Sequence, residues 1–152
     1  MKKLIFLIVL ILFLAACAPA SQPTFSADDT TENIHDISER FFITETEHIY
    51  LNRDDYMGQL IRYEGIFRTV FWDPPGQYFP FVIRLMDDCC GPGGMVGFEL
   101  RFPDHIRPPE EEAWVELIGR LERFDEDGED FVRLYVVAIT VLEERGLEIV
   151  VR

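Results

Sequence analysis

Two adjacent cysteines are the residues of this chain whose side chains are most suited to chemistry. Cys89 and Cys90 follow Asp87 and Asp88 at the end of an apolar segment. Adjacent Cα atoms lie ~3.8 Å apart, below the usual ~4.4–6.8 Å of disulfides, so a bond between these thiols would be strained and labile. Thiolates also favour zinc or copper, for which Asp87, Asp88 or His105 would be further ligands. Three uses stay open: a structural pair, a metal site, and redox or intermolecular pairing.

The third cysteine, Cys17, lies in a different pattern. Lys2 and Lys3 precede an unbroken apolar run over residues 4–14. That run is too short to span a hydrocarbon core of ~30 Å, and its length is typical of a signal peptide. It leads into Leu14-Ala15-Ala16-Cys17, which resembles the lipobox of bacterial lipoproteins, where small residues precede a cysteine whose thiol receives a diacylglyceryl group.

The lipobox resemblance implies how the mature protein is organised. Residues 1–16 would be removed as a signal peptide, and lipid on Cys17 would hold the protein at the extracytoplasmic face of a cell membrane. Residues 17–40 have the small, polar and Pro-containing composition of a flexible tether. Residues 41–152 are expected to form one domain, which is large enough to bury its own core.

The charge of the chain limits its partners. The 152 residues include 14 basic and 28 acidic side chains. Loss of Lys2 and Lys3 with the signal peptide leaves 12 arginines and a formal net charge of −16. Because clustered cations are absent, we expect no nucleic-acid partner and a membrane attachment made by lipid alone. No nucleotide-binding, nucleophile-elbow or paired-histidine motif is present, so no catalytic residue is predicted.

Apolar residues alternate with a period of two along most of the remaining chain, which predicts strands. The alternating segments are residues 59–72, 79–85, 96–102, 115–121 and 131–142, with a short run at 147–151. Residues 41–50 are also rich in β-forming types. This pattern predicts an all-β fold, a small barrel of five to six strands, with a β-sandwich as the alternative. The expected core includes Phe67, Phe81, Ile83, Phe98, Leu117 and Val137, and the alternation assigns most other aromatic residues to it as well.

Two segments of the chain look alike. Residues 58–65 and 114–121 each place a glycine, Gly65 or Gly119, in or after an alternating strand, where it permits a sharp bend. This arrangement resembles OB-fold proteins, whose long strands coil to serve both sheets of the barrel. The resemblance implies an OB-like barrel for residues 41–152.

A further resemblance covers about residues 49–142. Residues 55–66, the segment 81–84 leading to the cysteine pair, and residues 114–119 resemble the C-terminal extracytoplasmic domain of YcgQ-type membrane proteins. The chain departs from that family in having Gln59 where a lysine is usual and a lipid anchor in place of transmembrane segments. The family is associated with permeases, so the resemblance implies a transport accessory and supplies no catalytic chemistry.

Two functions are therefore expected. The first is a lipid-tethered binding or adaptor module that engages an envelope protein, a permease or a small ligand through one barrel face. The alternative is a metal-binding or thiol-redox site built on Cys89 and Cys90, with zinc or copper as the cofactor.

Overall fold

The computed structural model describes residues 33–73, 76–88, 91–126 and 128–151. They belong to one compact unit, Glu32–Arg152. The predicted signal peptide, Cys17 and most of the predicted tether lie outside the described residues. In chain order the elements are β1 (Ile34–Asp36), a 3-10 helix (Glu39–Phe41), α1 (Phe42–Leu51), α2 (Arg53–Tyr56), β2 (Leu60–Trp72), β3 (Gln77–Asp88), β4 (Gly91–Arg101), β5 (Trp114–Glu126), β6 (Glu129–Val141) and β7 (Ile149–Val150).

Five long strands close into a barrel, which confirms the predicted all-β class and architecture. Strand β2 pairs antiparallel with β3 along one half and with β5 along the other. Strands β3 and β4 are antiparallel, as are β5 and β6. The ring closes through a parallel pair between β4 and β6. The short strands lie outside it, β1 parallel to β2 and β7 parallel to β3.

Gly65 marks the point where β2 changes partners. Leu60 to Ile66 pair with β5, and Ile66 to Trp72 pair with β3, so the exchange of partners follows directly after the glycine. A Cβ atom on Gly65 would lie 2.7 Å from the carbonyl oxygen of Ile83, which is closer than real Cβ atoms come to backbone. The glycine therefore lets the strand bend tightly over its neighbour, as its position in the sequence predicts.

The barrel interior is filled by the inward side chains of all five strands. Four of the six predicted core residues are buried, and they are Phe67, Ile83, Phe98 and Leu117. Ile83 is buried in a second cluster with Ile66 and Trp114, outside the main core. Neighbouring side chains therefore also cover part of the outer face of β3.

The predictions for Phe81 and Val137 are wrong, because both are only half-buried. On β3 the inward position belongs to Val82, so Phe81 points outward. On β6 a β-bulge intervenes: Ile118 of β5 pairs with Ala138, while the next residue pairs with Val136. The extra residue shifts the alternation by one, which places Val136 rather than Val137 in the core.

Residues 42–51 form a helix, although their composition favours a strand. The buried side chains of α1 are Phe42, Ile43, Thr46 and Ile49. Their spacing repeats with the helical period, and the apolar members join the main core. Packing of that face therefore outweighs the β propensity of the individual residues.

The folded unit includes the last residues of the predicted tether. Ile34–Asp36 pairs with the start of β2, and Ile37 is buried in the main core. The carboxylate of Asp36 forms an ion pair with the guanidinium of Arg62. No helix within the described ranges is both long enough and apolar enough to cross a membrane.

One buried arginine joins the two ends of this unit. Arg84 is 2% exposed and lies over the rings of Phe42 and Trp114, at 4.9 and 5.1 Å from their centroids. Its Nη1 donates to the carboxylate of Glu39 at 3.1 Å. The backbone N–H of Leu147 donates to the same carboxylate. Arg84 thus connects β3 with the N-terminal helical turn, and Glu39 extends this connection to the C-terminal segment.

Candidate functional site

A cavity of about 590 Å³ opens on one side of the barrel. It lies on the outer faces of β3 and β4, between the β2–β3 and β5–β6 hairpins, with α1 and α2 at its edge. We call it the groove. Its lining is mainly aromatic and acidic: Tyr50, Arg53, Trp72, Phe79, Phe81, Glu99, Phe124, Glu126, Glu129, Asp130, Phe131 and Val132.

Strand alternation explains why aromatic side chains line the groove. Phe79 and Phe81 share the outer face of β3, and Phe81 is paired directly with Glu99 on β4. The next pair along the ladder, Val82 and Phe98, is fully buried inside the barrel. The same two strands therefore supply the core with one face and the groove with the other.

The β5–β6 hairpin forms one wall. Phe124 and Phe131 face each other across it with ring centroids 5.7 Å apart. Glu126 pairs with Glu129 at the tip, and Gly128 has a positive φ of 85°, which is typical of the glycine in a tight hairpin turn. Asp127 itself lies outside the described residues.

The opposite wall and the edge carry Trp72 and Tyr50. Trp72, the last residue of β2, is 56% exposed, which is unusual for the largest apolar side chain. Tyr50 on α1 stacks on Phe98 at 4.8 Å, and its hydroxyl donates to the carbonyl of Gly97 at 2.9 Å. Tyr50 is thereby held in place, while the indole of Trp72 stays available for a ligand.

Carboxylates outnumber cations in the lining. They come from Glu99, Glu126, Glu129 and Asp130, against the single guanidinium of Arg53. Arg53 is already engaged, because its Nη1 donates to the carbonyl oxygen of Asp130 at 3.1 Å. Among the described side chains, neither Glu126 nor Glu129 has an ion-pair partner. Asp130 pairs with Arg123 at 3.4 Å, so the carboxylates of the groove without an ion-pair partner are those at the tip of the β5–β6 hairpin.

Glu99 is the most enclosed of these carboxylates. Its nearest cation is Arg133, 3.8 Å away, which binds Glu122 more closely at 2.8 Å. Burial raises the pKa of Glu99, the charge of Glu126 raises it further, and Arg133 opposes both. A carboxylate whose ionised form is disfavoured by its surroundings is typical of functional sites.

Replacing Glu99 with glutamine is expected to stabilise the fold at neutral pH. A carboxyl group whose pKa is higher in the folded than in the unfolded state costs stability once it is ionised, because folding must then bury the charge. Below the unfolded pKa of ~4.3 both states are protonated and the cost is absent. It develops as the pH rises through the raised pKa of the folded state.

Urea denaturation at several pH values measures the free energy of unfolding of Glu99→Gln and of the parent. The amount by which the variant is more stable than the parent should be smallest near pH 3 and should rise to a plateau at neutral pH. Glu143→Gln is the matched control, because Glu143 is an exposed carboxylate of the C-terminal segment outside the groove. A Glu99→Gln protein that is less stable than the parent at pH 7 contradicts the prediction.

The residues predicted from the sequence as a metal or disulfide site are only partly described. Cys89 and Cys90 lie outside the described residues, as does the side chain of Asp88. Asp87 is exposed near the end of β3, whereas His105 is exposed in the loop beyond the far end of β4. Within the described ranges, no three His, Cys, Asp or Glu side chains are grouped to hold a metal ion.

The groove residues were missed by the sequence analysis, which assigned most aromatic side chains to the core. One signal pointed to them. On β3 both alternating sets are largely apolar, since Tyr78, Pro80 and Val82 interleave with Phe79, Phe81 and Ile83. A strand that is apolar on both faces must cover something on each side or present one face to a partner.

Comparison with known proteins bears on the start of the chain. Residues 1–18 match the model of the prokaryotic membrane lipoprotein lipid attachment site, and this segment contains Cys17. No curated protein matches the chain. The resemblances to OB-fold and YcgQ-type proteins therefore stay predictions. Because residues 1–18 match a lipid attachment site, the chain is a membrane-anchored lipoprotein.

Proposed function

We propose that this lipoprotein is a membrane-tethered binding module. Lipid on Cys17 holds it at the extracytoplasmic face, and the groove takes a ligand. The observation that carries the proposal is the cavity of about 590 Å³ with aromatic walls, on which Trp72 and Phe131 are exposed. Its volume lies within the ~300–1,000 Å³ of small-molecule sites, and exposed aromatic clusters are typical of surfaces that a partner covers.

We also propose that the barrel is of the OB type. If β2 to β6 are counted as strands one to five, the order around the ring is one-two-three-five-four, with a parallel pair between strands three and five. OB folds bind ligands on the face of strands two and three, between the loops that join strands one to two and four to five. The groove occupies the corresponding position on this barrel.

The charge of the groove separates this module from OB folds that bind nucleic acid. Those domains combine stacking aromatic residues with a positively charged path for the phosphates. Here the aromatic part is present, but carboxylates take the place of the cations. A permease partner, implied by the YcgQ-type resemblance, would exchange a small ligand with the groove.

Intrinsic fluorescence tests the binding function. The chain has two tryptophans, Trp72 in the groove and Trp114, which is buried in the second cluster, so the exposed Trp72 reports on ligands. The full lipoprotein in neutral detergent is titrated with small aromatic probes of different charge: benzyl alcohol, phenylacetate and benzyltrimethylammonium. We expect at least one probe to cause a saturable change in Trp72 emission.

Two neighbouring residues of β3 supply the matched variants. Phe79→Ala removes a groove wall and should weaken the response. Tyr78→Ala removes an aromatic side chain of the other face, which is 70% exposed and does not line the groove, and should leave the response unchanged. No response to any probe, or equal losses in both variants, would contradict a binding function for the groove.

A metal or thiol-redox site on Cys89 and Cys90 is our second candidate. It is supported by the chemistry of the residues, since two adjacent thiols follow Asp87 and Asp88 in the sequence and thiolates favour zinc or copper. The test is a Cys89→Ser, Cys90→Ser double variant titrated with zinc and copper beside the parent. Tighter binding by the parent supports the site, whereas equally weak binding, with parent thiols that resist labelling, makes the pair structural.

A further inference from the structure

We infer that the groove selects a small organic cation, in which a substituted ammonium group is carried on an apolar or aromatic frame. The inference rests on the proposed function, because it names the ligand class of the same groove. It follows from the combination of two features, the exposed aromatic faces and the excess of carboxylates.

The aromatic faces supply the first contact. Trp72 and Phe79 stand at one side of the groove, and Phe124 and Phe131 at the other. A cation within ~6 Å of such a ring is attracted to the negative face of its π system, most strongly for tryptophan. The apolar frame of the ligand would gain contact area with the same rings.

The carboxylates supply the second contact. Glu126 and Glu129 are exposed at the hairpin tip, without ion-pair partners among the described side chains. Glu99 lies deeper, beside Phe81 on the neighbouring strand. A ligand cation placed between the rings would therefore meet negative charge at the rim and in the interior of the groove.

The protein already holds one of its own cations in this way. The guanidinium carbon of Arg133 lies 4.5 Å from the ring centroid of Phe124, and the same group pairs with Glu122 and Glu99. Arg133 thus sits between an aromatic face and two carboxylates at the wall of the groove. The groove offers a comparable setting at Trp72 and the hairpin carboxylates, where no cation of the described chain is recorded over the indole.

Other ligand charges fit less well. An anion would face the carboxylates of Glu126 and Glu129, which have no ion-pair partner among the described side chains, while the lining arginine is held by the carbonyl of Asp130. A neutral aromatic molecule would stack on the rings but would exclude water from Glu99 without replacing its hydration, which is costly. The volume of about 590 Å³ suits a single small molecule, so a free organic cation fits the groove better than a basic peptide.

The test compares three probes of similar size on the full lipoprotein in neutral detergent, followed by Trp72 emission and by calorimetry. Benzyltrimethylammonium should bind at least about tenfold more tightly than benzyl alcohol, and phenylacetate should be weakest. Added salt should weaken the binding of the cation and leave that of benzyl alcohol unchanged.

Paired charge variants identify the site. Glu126→Gln with Glu129→Gln should weaken benzyltrimethylammonium about tenfold and leave benzyl alcohol unchanged. The matched control is Glu143→Gln with Glu144→Gln, which removes two exposed carboxylates outside the groove and should leave both probes unchanged. All four substitutions are at exposed positions, and thermal melting checks that each variant is folded.

Each remaining outcome has a definite meaning. Equal affinity for the cation and benzyl alcohol overturns the selection of cations and leaves the binding function standing. Binding of a Lys- and Trp-containing peptide, with no response to benzyltrimethylammonium, overturns the small-molecule assignment. No response to any of the probes overturns both the inference and the proposed function.

Discussion

Replacing Phe98 with alanine is expected to lower the free energy of unfolding by about 3–5 kcal/mol. Phe98 is fully buried on the inner face of β4. Its ring stacks on Tyr50 at 4.8 Å and lies 6.0 Å from the ring of Tyr63, whose hydroxyl donates to the carbonyl of Val82. Truncation removes the buried area of the ring and leaves a cavity that these fixed neighbours cannot fill.

Urea denaturation of the full lipoprotein in neutral detergent, monitored by far-ultraviolet circular dichroism, measures this loss. Phe98→Leu should fall between the parent and Phe98→Ala, because it retains much of the apolar contact. Tyr78→Ala is the control at an exposed position and should change stability by no more than about 0.5 kcal/mol. A loss below about 1 kcal/mol for Phe98→Ala would show that its ring does not fill the core.

Replacing Cys17 with alanine is expected to abolish membrane anchoring through lipid. Residues 1–18 match a lipid attachment site, and alanine offers no thiol to receive the diacylglyceryl group. Two or more acyl chains are needed for stable attachment, and a chain of strong negative charge has no electrostatic affinity for anionic headgroups. The variant should therefore accumulate with its signal peptide uncleaved, and it should carry no lipid.

Mass spectrometry of the N-terminal peptide and membrane fractionation check this prediction together. In the parent, the first residue should be Cys17 with a diacylglyceryl mass. The Cys89→Ser, Cys90→Ser protein keeps Cys17 and should be lipidated like the parent, so it controls for the loss of thiols in general. An unmodified Cys17 in the parent, or a Cys17→Ala protein that is processed and membrane-bound, would rule out the anchor.

Strands were predictable where one face is buried. The alternation of Val96, Phe98 and Leu100 with less hydrophobic neighbours predicted a strand within β4 correctly. A strand with one buried and one solvent-facing side has apolar and polar residues in strict alternation, which is visible in the sequence. The helix α1 was not predicted, since Phe42, Ile43 and Ile49 are β-forming types and only their spacing is helical. Val137 was misplaced because a single bulge reverses which residues face inward, and no local signal marked that bulge.

The groove could not be predicted because it is assembled by the barrel. Tyr50, Trp72, Phe79 and Phe124 come from four elements, and only the closed ring brings their side chains to one cavity. In the sequence, Trp72 and Phe79 sit in alternating runs that also fit a core, and Tyr50 and Phe124 lie outside those runs. By contrast, the lipid attachment signal is contiguous, so residues 1–18 were identified without a fold.

Photo-crosslinking tests most directly whether the groove is the ligand site of the membrane-anchored protein. Membranes that carry the full chain are exposed to a benzyltrimethylammonium derivative with a diazirine on its ring, and labelled peptides are mapped by mass spectrometry. We expect labels within residues 72–81 and 124–132 that are suppressed by excess unlabelled benzyltrimethylammonium. Labels spread over the barrel, or confined to segments outside the groove, would contradict it.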